Sequence, residues 1–114
     1  MKRVAIPVFD NHLSEYFGQC SYYEIFDINK NGVFRKTVVM PEKMAIEDFP
    51  KWLEKQGVTD VIVFRIDKKI ISLFASKKVN LFVGIAKKTP LALIDDYLNG
   101  RLESDKKMVA ELTS

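Results

Sequence analysis

The only His and the only Cys of the chain, His12 and Cys20, fall in one stretch, HLSEYFGQCSYYEIFDI (12–28). Each can bind a soft or borderline metal, Cys as thiolate and His as neutral imidazole. A zinc-type site needs about four N, S or O donors. One Cys and one His cannot supply them within a single chain, which leaves a site shared across a dimer. Cys20 itself reads two ways. As a ligand it needs an accessible thiolate and a second donor nearby. As a scaffold residue it is a small buried hydrophobe at the start of a strand, the commoner fate of free Cys. His12 stands in a polar loop and joins a site only if the loop folds it back.

The residues between them have their own readings. Gly18 is expected to take positive φ, with Phe17 tucked beneath the loop as an anchor. Tyr16 offers a ring for packing and a hydroxyl at the rim. Glu15 is expected to hydrogen-bond the backbone of its own loop, and Ser14 either caps a short turn or faces solvent.

Other chemistries find less support. Hydrolysis by a Ser or Cys nucleophile needs a base beside it, and His12 alone in a loop supplies none. Two-metal phosphoryl chemistry needs several carboxylates around ions about 4 Å apart. Asp10 lies past the end of the first strand, Asp27 at the far end of the second, and Asp60 at the start of the fourth. Nucleic-acid binding would rest on Lys68, Lys69, Lys77, Lys78, Lys87, Lys88, Lys106 and Lys107, whose pairs read as solvated helix surfaces. The net charge of +3, from 18 basic and 15 acidic residues, is too mild to argue for a polyanionic partner. No apolar run approaches the ~18 residues of a membrane span, and MKRVAIPVFDN turns polar too early for a secretory signal, so a cytoplasmic protein is expected. With one Cys, no internal disulfide contributes to the fold.

The elements that must position these residues are legible from pattern. At 114 residues and 47% hydrophobic content, the chain suits one domain with a real core. RVAIPVF (3–9) reads as a strand buried on both faces, with Pro7 at an unpaired position or a bulge. YYEIFDI (22–28) and GVFRKTVVM (32–40) are two further strands joined at Asn31-Gly32, the dipeptide of a type I′ turn. Ile46, Phe49, Trp52 and Leu53 recur at helical spacing, with Asp48 as N-cap, Pro50 in the first turn and Gly57 as the stop. DVIVFR (60–65) is a fourth strand. Asp67 caps a helix carrying Ile70, Ile71, Phe74 and Ala75 inward. NLFVGIA (80–86) is a fifth strand. Thr89 and Pro90 start a third helix with Leu91, Ile94 and Leu98 inward, stopped at Asn99-Gly100. The rest, 103–114, reads as a charged tail with a frayed helix.

The order β-β-β-α-β-α-β-α combines an antiparallel meander with right-handed crossovers. It predicts a three-layer α/β/α domain around a five-stranded mixed sheet of strand order 3-2-1-4-5, a ribonuclease H-like motif. In that topology the 12–28 stretch, the loop with Arg65 and the loop with Lys87 and Lys88 emerge at one sheet edge. Three helix N-termini also point there. Each favours a nearby anion by roughly 0.5 kcal/mol, although Asp48 and Asp67 use part of that capacity. Fold alone does not carry function, so the site must be argued from these residues.

SEYFGQCSYYEIFDI (14–28) resembles the Ser-Glu-His-Phe-Gly-x-(Ala/Cys) signature of the dinitrogenase iron-molybdenum cofactor biosynthesis family, which includes NifX and the C-terminal part of NifB. The similarity extends to VAIPV, to LEKQGVTDVIVFRI and to NLFVGIAKKTPLALIDDYLNGRL, covering residues 1–102. It implies a non-enzymatic accessory or carrier protein for an iron-sulfur or iron-molybdenum type cluster. A metal-cluster donor or acceptor protein would be its partner. The implied binding residues are Cys20, Tyr16, Gly18 and Arg65, with Cys20 and His12 as metal donors. A homodimer through the sheet's edge strands is a further expectation. Tyr16 stands where the signature has His, and PEKMAIEDFP (41–50) replaces the Gly-rich stretch of many members. Those departures support an alternative: a protein-interaction domain of the same fold that has lost metal binding.

Overall fold

The first strand is longer and less interrupted than its proline suggests. In the computed structural model, which describes residues 1–41 and 43–113, β1 spans Lys2–Phe9. Pro7 sits in register opposite Tyr23, and its carbonyl accepts from Ser14 N on the other side. The parallel neighbour pairs with Val4 and Ala5 only, so the missing N–H of Pro7 falls beyond that ladder. Glu42, within the 41–50 stretch, and Ser114, at the end of the charged tail, lie outside the described residues.

After β1 come β2 (His12–Leu13), β3 (Tyr22–Asn29), β4 (Gly32–Val38), α1 (Phe49–Lys55), β5 (Asp60–Ile62), α2 (Lys68–Ala75), β6 (Asn80–Phe82), α3 (Pro90–Leu98) and α4 (Lys106–Thr113). The sheet runs β4-β3-β1-β5-β6, with the two-residue β2 paired to β1. Apart from β2, this is the mixed sheet and strand order expected from the sequence. Phe49, Leu53, Ile70 and Phe74 cover one face through α1 and α2; Leu93 and Ile94 of α3 cover the other. Among the described residues no helix is long and apolar enough to cross a membrane.

Several local expectations are corrected. The β3–β4 turn is not type I′. Among residues 29–32 only Gly32 has positive φ, at 131°, and the Asn29 side chain accepts from Asn31 N, an Asx turn. The two consecutive positive φ values occur instead at Asp10 and Asn11 (53° and 64°), which fold β1 back onto β2. Asp48 makes no side-chain cap because a 3-10 turn at Ile46–Asp48 precedes α1; Asp67 and Thr89 do cap α2 and α3. The inward face of α3 is Pro90, Leu93 and Ile94, while Leu91 and Leu98 are exposed. A stripe set by positions 90, 93, 94 and 97 leaves 91 and 98 on the flank. On α2, Ala75 is exposed and Ile70 and Phe74 carry the burial.

The final segment is docked. Asp105 N donates to Val83 O at 2.8 Å, Ser104 Oγ accepts from Val83 N, and Met108 and Val109 of α4 pack against the core on the α2 side.

Candidate functional site

The site grows from the way β1 ends. Asp10-Asn11 turns the chain so that Val8 pairs with Leu13 and Phe9 with His12, and Leu13 N then donates to Lys88 O at 2.9 Å. Leu13 is thereby pulled into the core under α3, while His12 stays exposed with Nδ1 2.9 Å from Asp10 O. Ser14 is buried, and its hydroxyl donates to Tyr16 O. Residues 15–17 next run alongside the continuation of β5: Arg65 N donates to Glu15 O at 3.0 Å, and Phe17 N to Arg65 O at 2.8 Å. Tyr16 and Arg65 consequently form an isolated parallel bridge.

Phe17 is the anchor. It is buried and meets Phe49 and Phe74 edge-on at 5.9 and 5.7 Å, pairs that contribute roughly 0.5–1.5 kcal/mol each beyond simple burial. Gly18 follows at φ 98°, and a Cβ there would stand 2.5 Å from Ile46 Cδ1, so close packing and backbone both require glycine. Cys20 then enters the same core. Its Sγ donates to Met40 Sδ at 3.2 Å, and burial pushes its thiol pKa up to about 11. The neighbouring Tyr23 hydroxyl is fully buried and makes no hydrogen bond among the described residues.

Above the loop the surface is aromatic and cationic. The Arg65 guanidinium lies 5.8 Å from the Tyr16 ring centre and 5.1 Å from that of Phe64. Lys87 Nζ lies 5.9 Å from Phe64 and donates to Glu15 Oε1 at 2.9 Å. That hydrogen bond, with the ammonium charge, holds the Glu15 carboxyl below its ordinary range. Glu15 therefore reaches across to another loop and not to its own backbone. Arg65 forms no ion pair among the described residues, although its charge also favours the ionised Glu15 carboxyl.

Two cavities meet at Tyr16. One, of about 560 Å³, is lined by Phe9, His12, Glu15, Tyr16, Gln19 and Lys87 among others. The second, of about 430 Å³, lies between Tyr16, Arg65, Ile66, Asp67, Met108 and Glu111. Of the residues expected from sequence, His12 and Tyr16 share the first cavity and Tyr16 and Arg65 the second. Gly18 and Cys20 lie beneath, on the core side of the loop. His12 and Cys20 are not brought to a common cavity.

Among the described residues no group of three or more His, Cys, Asp or Glu is placed to hold a metal ion. The one thiol is buried, protonated at neutral pH and engaged with Met40. These residues do not fit a cluster fixed by several protein ligands. Nor do they fit two-metal chemistry: Asp27 is paired with Arg3, and Asp60 accepts from Thr59 at the opposite sheet edge.

Sequence reasoning missed the second cavity's outer wall, Met108 and Glu111, because it treated 103–114 as a tail. It also missed the β1–β2 hairpin. The signal was Asp10-Asn11, two residue types that tolerate positive φ, between Val8-Phe9 and His12-Leu13.

Among solved structures, that of PH0822 shares 25% identity and a TM-score of 0.81 with this chain, covering 93% of it and 96% of PH0822. A Methanocaldococcus jannaschii protein provisionally described as a dinitrogenase matches at 23% identity and TM-score 0.72, over 91% of this chain and 94% of its own. The apo orange protein of Desulfovibrio gigas matches at 13% identity and TM-score 0.74, over 93% and 94%. The last two establish likeness of fold. No curated protein matches the chain significantly. The family described as dinitrogenase iron-molybdenum cofactor matches residues 1–100, and the chain belongs to that family.

Proposed function

We propose that this protein is a non-enzymatic carrier in cofactor assembly, and that its cargo is a preformed anionic metal–sulfur cluster held at the carboxyl edge of the sheet by charge and aromatic surface. One observation carries the reading. The Arg65 guanidinium lies 5.8 and 5.1 Å from the ring centres of Tyr16 and Phe64, forms no ion pair among the described residues, and lines the second cavity beside Tyr16, which lines both. A guanidinium so placed presents several N–H donors in a fixed plane to an anion. A cargo that brings its own sulfide shell needs no protein donor set, which suits a site whose only thiol is buried.

In this reading Tyr16 supports Arg65 from below, and Lys87 adds a second cation above Phe64. Gly18 lets the loop descend to its Phe17 anchor. His12 lines the first cavity and is the one imidazole available to a metal at the surface of the cargo. Cys20 acts through packing, since ligation would require it to leave Met40 and lose a proton held to about pH 11. A donor or acceptor protein for the cluster is the implied partner.

Tetrathiomolybdate, the smallest stable anion with this chemistry, is the probe. Anaerobic mixing followed by gel filtration should retain the anion on the wild type, much less on Arg65→Gln, and undiminished on Cys20→Ser. Absence of retention by the wild type would overturn the carrier reading and leave an interaction domain that has lost its ligand. Loss in Cys20→Ser with a folded chain would return the thiol to the ligand set.

A further inference from the structure

We infer that β4 is a docking edge for another protein, and that its occupant is an extended segment of apolar and acidic residues that adds a strand to the sheet. This docking is independent of the cargo held at the cavities. The two edges of the sheet differ. At one, β6 has only three residues, and Val83 just beyond it is covered by the docked final segment: Asp105 N donates to Val83 O, and Val83 N to Ser104 Oγ. At the other, β4 runs for seven residues, and Gly32 through Thr37 are all exposed.

Among the described residues no strand pairs with the outer side of β4. In an antiparallel pair, alternate residues turn their N–H and C=O away from the neighbour, so β4 offers a row of unpaired groups along that side. An extended chain completes such a row by strand addition, in which the backbone supplies affinity and the side chains supply choice. β4 runs parallel to β1, since both are antiparallel to β3, and its carboxyl end leads to Met40, whose Sδ lies 3.2 Å from Cys20 Sγ beneath the site loop. A segment docked on β4 therefore ends at the sheet edge where the cavities open.

The side chains of β4 select the occupant. Arg35 and Thr37 both donate to Glu24, which places them on one face of the sheet with Val33; Phe34 and Lys36 fall on the other. Val33 is 43% and Phe34 55% exposed, so each face offers an apolar contact to a neighbouring strand. The charge is one-sided. Lys30, Arg35 and Lys36 are basic, and no acidic residue occurs from Ile28 to Pro41. The carboxylates of β3 are already engaged, Glu24 by Arg35 and Asp27 by Arg3, while Lys30 and Lys36 form no ion pair among the described residues. A second copy on this edge would bring another Lys30, Arg35 and Lys36 to the same ribbon, and facing like charges are destabilising. An acidic segment with apolar flanks complements both the cations and Val33 and Phe34.

A fluorescein-labelled peptide, SVTEEIVS, is the probe; in antiparallel register it sets Glu opposite Lys36 and Ile opposite Phe34. Anisotropy titration of the full chain should show saturable binding. Two control peptides should bind about tenfold more weakly or not at all: SVTKKIVS, which reverses the charge, and SVTEEIVS with both Glu amides N-methylated, which keeps the charge and blocks the backbone ladder. Lys36→Glu, a change at an exposed position, should weaken SVTEEIVS about fivefold and strengthen SVTKKIVS. Failure of the wild type to bind SVTEEIVS, or equal binding of the N-methylated form, would overturn the assignment. Sedimentation should find the chain monomeric; a dimer that SVTEEIVS dissociates would make a second copy the occupant and overturn it as well. None of these readouts involves the cargo, so failure here leaves the carrier reading standing.

Discussion

Tyr16 and Arg65 are joined twice: their backbones form a parallel bridge, and the guanidinium rests 5.8 Å from the ring centre. The bridge fixes where the side chain at position 16 leaves the loop, and it leaves toward the cavity shared with His12. Tyr16 is 41% exposed, so a smaller ring fits there without disturbing the core. Tyr16→His should therefore fold normally and place a second imidazole beside His12. Reconstituted anaerobically with iron and sulfide, the variant should bind more iron than the wild type. That gain should disappear as pH falls below about 6.5, where imidazole takes up a proton and ceases to ligate. Equal iron content in the two proteins would show that position 16 does not face the cargo.

Much of the frame behind this pair could be read from residues alone. Apolar runs, the turn after Asn29 and the Thr89-Pro90 helix start are local signals, and together they determine strand order once right-handed crossovers are imposed. The site was less legible because its contacts are tertiary. Nothing near position 16 announces that residues 15–17 will lie along Arg65; that follows from β5 continuing past the point where β1 turns away. The buried position of Cys20 depends on Met40 arriving from the end of β4. The docking of α4, expected only as a frayed helix, was invisible for another reason. Its apolar face is short, and its seating relies on a glycine distant in sequence, Gly84. The misassigned face of α3 shows the limit of spacing arguments, since Leu91, Ile94 and Leu98 fit a helical stripe as well as Leu93 and Ile94 do.

The environment of Cys20 makes a prediction about alkaline pH. Burial, the largest influence, raises the thiol from an ordinary 9.0 to about 11. Between those values the unfolded chain has lost the proton and the folded chain keeps it, so stability falls as pH rises. The contribution is complete below about pH 9 and is lost by about pH 11, at roughly 1.4 kcal/mol per pH unit. Urea unfolding of wild type and Cys20→Ala across this window should show a steeper decline for the wild type. Parallel declines would mean that the thiol is solvated. In the same folded protein at neutral pH, alkylation of Cys20 should proceed only as fast as the chain opens.

Gly18 and Ile46 should behave as a coupled pair. Ala at position 18 incurs backbone strain at φ 98° of about 1–2 kcal/mol and pushes on the Ile46 side chain. Gly18→Ala should thus destabilise by about 2 kcal/mol or more. In an Ile46→Ala background the steric part vanishes and the backbone part stays, so the second substitution should cost about 1 kcal/mol less than it does alone. Simple additivity in a double-mutant cycle would show that the strain lies wholly in the backbone.

Tyr23 supplies a test of the buried polar chemistry. Its ring packs 5.7 Å from that of Trp52 and is fully covered, while its hydroxyl lacks a hydrogen-bond partner among the described residues. A buried hydroxyl left unpaired costs about 1–3 kcal/mol relative to its hydrated state. Tyr23→Phe keeps the ring and removes that cost, so the variant should be as stable as wild type or more so, with an unchanged denaturant slope. A loss of more than about 1 kcal/mol in Tyr23→Phe would show that the hydroxyl is satisfied by a buried water. The space beneath the loop would then be wet and polar, and Cys20 would sit in surroundings able to support a thiolate after all.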